Sequence, residues 1–203
     1  MKVRKMRFIV ITEPTFIPNE ATIIAKLLRL GVDLVHIRKP ETAAEAVENL
    51  IKAIPVEYHT RLVLHDNFEL SARFLLYGLH LNRRNSVLPK GFKGSVSRSC
   101  HTFEEVKTYK SLCDYVFLSP IFDSISKQGY ASSFTPQTLL TAQKQGIIDE
   151  KVVALGGITA ENIVPIQRYG FGGVALLGDV WNRINDANFD DYIKKIATAA
   201  AKP

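Results

Sequence analysis

The sequence is poor in the features that mark specialised classes of protein. It holds 2 cysteines, Cys100 and Cys113, too few for a disulfide framework and without the paired spacing of a zinc site. A reducing compartment follows as the simpler expectation. No apolar run approaches the roughly 20 residues of a membrane span. The first such run, in MKVRKMRFIVITEP, lasts about five residues before Glu13 and Pro14, short of the roughly 7–15 of a signal peptide. A cytoplasmic protein with no membrane partner is expected. No charge block, low-complexity tract or linker divides the chain, so residues 1–203 are read as a single domain. No G-x-G-x-x-G follows the first apolar run, which removes the fingerprint of a dinucleotide-binding open sheet. Acidic residues are the scarcer charge, 20 against 26 basic ones, for a net charge of +6. The basic residues are scattered, and no basic helix or aromatic-interleaved motif appears. That argues against nucleic acid and for small phosphorylated substrates.

What the chain does have is alternation. It is 46% hydrophobic and 23% charged, a globular composition. Short apolar runs are spaced by helical patterns: 7–12, 34–38, 61–65, 78–81, 94–99, 115–119, 152–155 and 173–177. About eight strands alternating with helices describe a closed (β/α)8 barrel of the TIM type. The segments LGVDLVHI, YGLHL, LCDYVFL and YGFGGVAL repeat one theme, a helix end just before a strand. Thr42–Glu45 and Thr102–Glu105 have the spacing of capping boxes. Thr135-Pro136 places proline in a first helical turn. Gly31 and Gly146 are suited to end helices, and Asn188 to cap the last one.

In such a barrel, chemistry gathers where strands end. Strand side chains alternate, so in VHIRKP Leu34, His36 and Arg38 should face the axis, with Val35 and Ile37 outward. Arg38 can fork across phosphate oxygens, and Lys39 adds a point charge. His65, Asp66 and Asn67 end the third strand. Asp66 suits a hard cation or, equally, the cap of a following helix. Arg83 and Arg84 follow the fourth strand and face either a substrate phosphate or water. On the fifth, Ser99 is a hydrogen-bond donor, whereas Cys100 reads as packing. A long loop follows the sixth strand, SPIFDSISKQGYASSF, where Ser124, Ser126 and Lys127 suit an oxyanion or diphosphate and Gly129 suits a lid hinge. The seventh ends in VVALGGITAEN: two glycines leave backbone bare, and Thr159 has the character of an N-cap beside orphan amides. Gly156, Gly157 and Gly178 lie where this architecture binds phosphate, in the loops after strands seven and eight.

These segments, in this order from Val35 to Leu177, together resemble the thiamine phosphate synthase and thiazole tautomerase superfamily. The resemblance implies a barrel that joins an aminopyrimidine diphosphate to a thiazole phosphate, releasing pyrophosphate and using Mg²⁺. Residue by residue, His36 stands where the synthases carry Gln, Arg38 matches, and Pro40 replaces the following Lys, with Lys39 adjacent. His65-Asp66 stands for Asn-Asp, so the metal carboxylate Asp66 is retained. A second metal carboxylate is missing, with Arg84 and Asn85 in that region, which weakens the expected Mg²⁺ site. Ser99, Ser124, Ser126, Lys127 and Gly156-Gly157 match substrate-binding positions, and Gly178 replaces a Ser. Pro120 stands where tautomerases carry a catalytic His.

The leading expectation is therefore a transferase in thiamine biosynthesis. Arg38, Lys39, Lys127 and an Asp66-bound Mg²⁺ would hold the diphosphate, and Gly156, Gly157 and Gly178 the thiazole phosphate. Two alternatives stay open: an isomerase of the tautomerase branch with His36 or His65 as base, and a non-catalytic binder of phosphorylated thiazole or thiamine. A homo-oligomer is left open.

Overall fold

The computed structural model describes residues 6–122 and 134–201. Eight strands, β1 (Arg7–Ile11), β2 (Leu34–Ile37), β3 (Leu62–Leu64), β4 (Gly78–Leu81), β5 (Ser95–Cys100), β6 (Tyr115–Leu118), β7 (Val152–Leu155) and β8 (Gly173–Leu176), pair in chain order and close into a barrel. Every pairing is parallel, including the closure of β8 on β1, where Phe8 faces Val174 and Val10 faces Leu176. All eight C-terminal ends therefore share one rim. Each strand lies within one residue of the span expected from the apolar runs.

The helices are α1 (Glu20–Arg29), α2 (Ala44–Ala53), α3 (Phe103–Tyr109), α4 (Pro136–Lys144), α5 (Ile163–Arg168), α6 (Gly178–Trp181) and α7 (Phe189–Ala201). Two connections depart from the expected alternation. A short 3₁₀ turn, Phe68–Ala72, stands between β3 and β4, and no helix separates β4 from β5. The latter segment, NRRNSVLPKGFKG, carries Pro89, Gly91 and Gly94, residues that break a helix.

The helix starts were only partly legible. Thr102 caps α3 by accepting the Glu105 N–H. The Glu105 carboxylate accepts the His101 N–H instead of closing a box on Thr102. Thr135 caps α4 in a full capping box with Thr138. The Thr42–Glu45 box is absent: Ala43 is the N-cap of α2, and the Thr42 hydroxyl donates to Pro40 O. Asp66 does not cap a helix either, because Asn67, in the left-handed region at φ 54°, precedes the 3₁₀ turn without a side-chain cap. Thr159 is likewise not an N-cap. Its own N–H donates to Asn162 Oδ1, and α5 begins after Asn162.

Two apolar layers result from strand alternation. Outward residues such as Val10, Val35, Ile37, Leu64, Leu79, Val116, Ala154 and Val174 pack against the helices. Inward residues Ile9, Ile11, Leu34, Val63, Tyr115, Phe117, Val153 and Ala175 fill the barrel. The filling is lopsided: β1, β7 and β8 contribute aliphatic side chains, while His36, His80 and Ser97, from β2, β4 and β5, are buried polar groups. Phe117, fully buried, lies between these halves against the rings of His36 and His80. Phe117→Ala should lower the unfolding free energy by about 3–5 kcal/mol, measured by urea denaturation.

Candidate functional site

Rim and barrel interior divide the predicted site residues into groups with different duties. His36 and Leu34 point inward, as alternation requires, and His36 has no solvent exposure. One His36 nitrogen, Nδ1, lies 2.8 Å from His65 Nε2. The other lies 2.8 Å from the Tyr115 hydroxyl. A neutral imidazole has one donor and one acceptor, so whichever nitrogen of His36 donates, the other accepts, and protons are ordered along the chain Tyr115–His36–His65. His80 stacks on His65 with ring centroids 4.1 Å apart. Its nitrogens lie 2.8 Å from the Ser97 and Ser99 hydroxyls. Ser99, expected to contact substrate, thus has a partner inside the barrel.

The ligating atoms of these three histidines lie within 4.8 Å of one another, yet the arrangement does not suit a shared metal ion. His80 has both nitrogens occupied by hydroxyls. The stacked His65 and His80 planes are 18° apart, so their in-plane lone pairs run alongside one another instead of converging on a tetrahedral centre. The cluster is a neutral hydrogen-bonded packing unit. Burial, then neighbouring charge, keeps it neutral: His80 is pushed down to about 3 by desolvation and the Arg98 guanidinium. Desolvation, His80 and Arg7 hold His36 well below the ordinary histidine value.

At the rim, Arg38 is half-buried. Its backbone is pinned to Thr12, whose Oγ1 accepts the Arg38 N–H at 2.9 Å, and its guanidinium makes no hydrogen bond to a described residue. Lys39 departs from expectation. It is 1% exposed, and its ammonium donates to Glu13 O, Thr15 O and the Glu20 carboxylate at 2.7–2.9 Å. An ammonium has three N–H donors, so none remains for a diphosphate. The pair is costly to bury: desolvation lowers the Lys39 pKa and raises that of Glu20, against their mutual attraction.

Asp66 is buried beneath the rim. Its Oδ1 accepts from Arg84 Nε and Nη2 at 3.2 and 3.0 Å and from Asn85 Nδ2 at 3.0 Å. Its Oδ2 is the one buried side-chain polar atom without a partner among the described residues. That orphaned oxygen would suit a hard cation such as Mg²⁺, which prefers oxygen ligands. Of the two arginines that the sequence leaves facing either a substrate phosphate or water, Arg84 is the one held at Asp66, and Asn82 and Asn85, which carry no sequence signal of their own, join it there. The adjacent Arg-Arg pair was visible, but its attachment to Asp66 depends on a long-range contact.

Gly156 and Gly157 follow β7 with φ of 96° and 63°, conformations that side chains with a Cβ rarely adopt. A Cβ on Gly156 would also lie 2.8 Å from Pro120 Cα. Asn162 Nδ2 donates to Gly157 O at 2.7 Å and stiffens this turn. The Thr159 and Ala160 amides are already used, by Asn162 Oδ1 and the Tyr192 hydroxyl. The Gly157 and Gly178 amides donate to no described residue. Ser124, Ser126, Lys127 and Gly129 lie outside the described residues. Cys100 is fully buried among core side chains, its thiol pushed up to about 12 mainly by desolvation, as suits packing rather than nucleophilic chemistry.

Residues 8–180 match the family model described as thiamine monophosphate synthase. The chain belongs to that family. It is similar to a crystal structure of thiamine phosphate pyrophosphorylase from Bacteroides thetaiotaomicron, with 44% identity and a TM-score of 0.87 over 96% of this chain and 98% of that one. A thiamine-phosphate synthase from Photorhabdus laumondii is 29% identical over 170 residues, 77% of this chain and 76% of the relative. A thiamine phosphate pyrophosphorylase from Pyrococcus furiosus shares the fold at 17% identity, with a TM-score of 0.76 over 97% of this chain and 96% of that one.

Two outcomes separate structural from ligand-binding residues. Lys39→Met should cost about 3–5 kcal/mol of stability by stranding the buried Glu20 carboxylate, and a second change, Glu20→Leu, should recover most of it in urea melts. Acid should also destabilise the fold through His36 and His80. The unfolded chain takes up these protons near pH 6.5, whereas folded His80 resists until about pH 3. Stability should therefore be complete above about pH 6.5 and fall below it by up to about 1.4 kcal/mol per pH unit for each histidine. A pH series of denaturant midpoints, compared with His80→Gln, measures the slope.

Proposed function

We propose that this chain catalyses the thiamine-phosphate synthase reaction, joining an aminopyrimidine diphosphate to a thiazole phosphate with release of pyrophosphate. The observation that carries this reading is the pairing of two anion-suited regions on one rim of a family barrel. Arg38 emerges from β2 with its guanidinium uncommitted among the described residues, and the bare Gly156-Gly157 backbone follows β7. The diphosphate is assigned to Arg38 and the rim around Asp66, and the thiazole phosphate to the Gly157 and Gly178 amides. Lys127 and the hydroxyls of Ser124 and Ser126 are assigned to the diphosphate by family resemblance.

In the reaction, the bond between the pyrimidine methylene carbon and the diphosphate oxygen breaks, and pyrophosphate leaves with the electron pair. The thiazole nitrogen lone pair forms the new C–N bond to that carbon. Negative charge grows on the leaving group, so a fixed guanidinium such as Arg38 stabilises the transition state more than the ground state. Holding the thiazole phosphate by backbone amides aims the nitrogen, and orientation replaces acid–base chemistry. Mg²⁺, held by Asp66, would supply further charge neutralisation of the phosphate oxygens. His36 cannot serve as a base for substrate because it is sealed inside the barrel, and the tautomerase alternative loses that candidate.

Purified protein given Mg²⁺ and both substrates should release pyrophosphate and form thiamine phosphate. Arg38→Ala should reduce kcat/KM by about 10- to 100-fold, the value of a charge-assisted hydrogen-bond pair. Calorimetric binding of both substrates with no turnover would replace this reading with that of a non-catalytic binder.

A further inference from the structure

At Asp66 one guanidinium, that of Arg84, is bound to the carboxylate, and Arg38 follows the end of the neighbouring strand, where Ile37 pairs with Leu64. Arg84 uses Nε and one hydrogen of Nη2 on Asp66 Oδ1. A guanidinium has five N–H donors, so the end-on fork of Nη1 and Nη2 stays open among the described residues. The loop that carries it is latched in place. Asn82 Oδ1 accepts the Arg84 and Asn85 backbone N–H at 2.9 and 3.1 Å. The Asn82 and Asn85 amides donate to His65 O at 2.7 and 3.1 Å. The Arg38 guanidinium makes no hydrogen bond to a described residue. A latched guanidinium with an open fork, next to the strand that ends in a second guanidinium, forms a receptor for a multivalent anion, and the bidentate geometry suits phosphate oxygens.

We propose that Arg84 is a direct ligand of the diphosphate, gripping it together with Arg38, so that this chain holds the pyrophosphate group without requiring a divalent cation to bridge it. Asp66 then has two separable duties: Oδ1 orients Arg84, and Oδ2 is left for a cation. The assignment rests on the synthase reading for the identity of the diphosphate ester, but the anion site is measurable without turnover.

The probe is inorganic pyrophosphate, titrated into the full chain by calorimetry in excess EDTA. The unaltered protein should bind it, and Arg84→Ala should weaken binding by about 10- to 100-fold. Arg83→Ala, at the exposed neighbouring residue, should leave the affinity within about twofold. Arg84→Lys keeps the charge and the partner Asp66 but loses the fork, so it should fall between the two. A thermal melt checks that each variant is folded. No binding in EDTA, equal loss in the Arg83 and Arg84 variants, or a folded Arg84→Lys protein that binds as the parent does would overturn the proposal. Binding that depends on Arg84 without any coupling of substrates would preserve the proposal and refute the synthase reading. Coupling activity with pyrophosphate affinity indifferent to Arg84 would do the reverse.

Discussion

Closure of β8 on β1 is the constraint on which the rest depends. Four register pairs, from Arg7–Gly173 to Val10–Leu176, turn a row of parallel strands into a ring. In a ring, every strand is paired on both sides and every C-terminal end faces the same way. Arg38, Asp66, Arg84 and the Gly156-Gly157 turn come from four distant parts of the chain, yet closure sets them around one opening. A site for two anionic substrates requires such convergence, because no local segment here carries enough charge to hold both.

The same closure creates a problem inside. An inward side chain in the middle of the barrel meets no water, and half of this barrel is lined by polar groups. Tyr115, His36 and His65 solve it as a hydrogen-bonded chain, and His80 by bridging Ser97 and Ser99. Unsatisfied, each such group would cost about 1–3 kcal/mol. The solution works only if the imidazoles stay neutral, which their burial enforces. His65 belongs to this chain and to the base of the rim at once, since its carbonyl anchors Asn82 and Asn85. The interior network thereby supports the loop that presents Arg84.

Charge at the rim is divided by function. Lys39 and Glu20 neutralise each other in the wall between β2 and α1 and serve the fold. Arg38, one residue earlier, keeps its guanidinium at the opening. Neighbours on an extended chain point to opposite sides, and this alternation separates the ion-paired Lys39 ammonium from the Arg38 guanidinium. Asp66 has one oxygen crowded with donors and the other without any among the described residues.

Strand positions, and the inward or outward face of the side chains in β2, were determined by sequence alone, because β alternation and strand-length apolar runs are local properties. The family resemblance and the glycine turn after β7 were legible for the same reason: a positive φ at Gly156 and Gly157 is written in residue type. Tertiary structure decided what local pattern cannot express. It gave Lys39 to Glu20, whose carboxylate is 19 residues away in sequence, and Arg84 to Asp66, 18 residues away. It sealed His36 inside the barrel and moved the start of α5 from Thr159 to Asn162, where a side-chain amide folding back on the turn outcompeted a hydroxyl cap. Each of these outcomes is a choice among partners that only proximity in the closed ring supplies, and hydrogen bonds between distant residues leave no periodic trace in the chain.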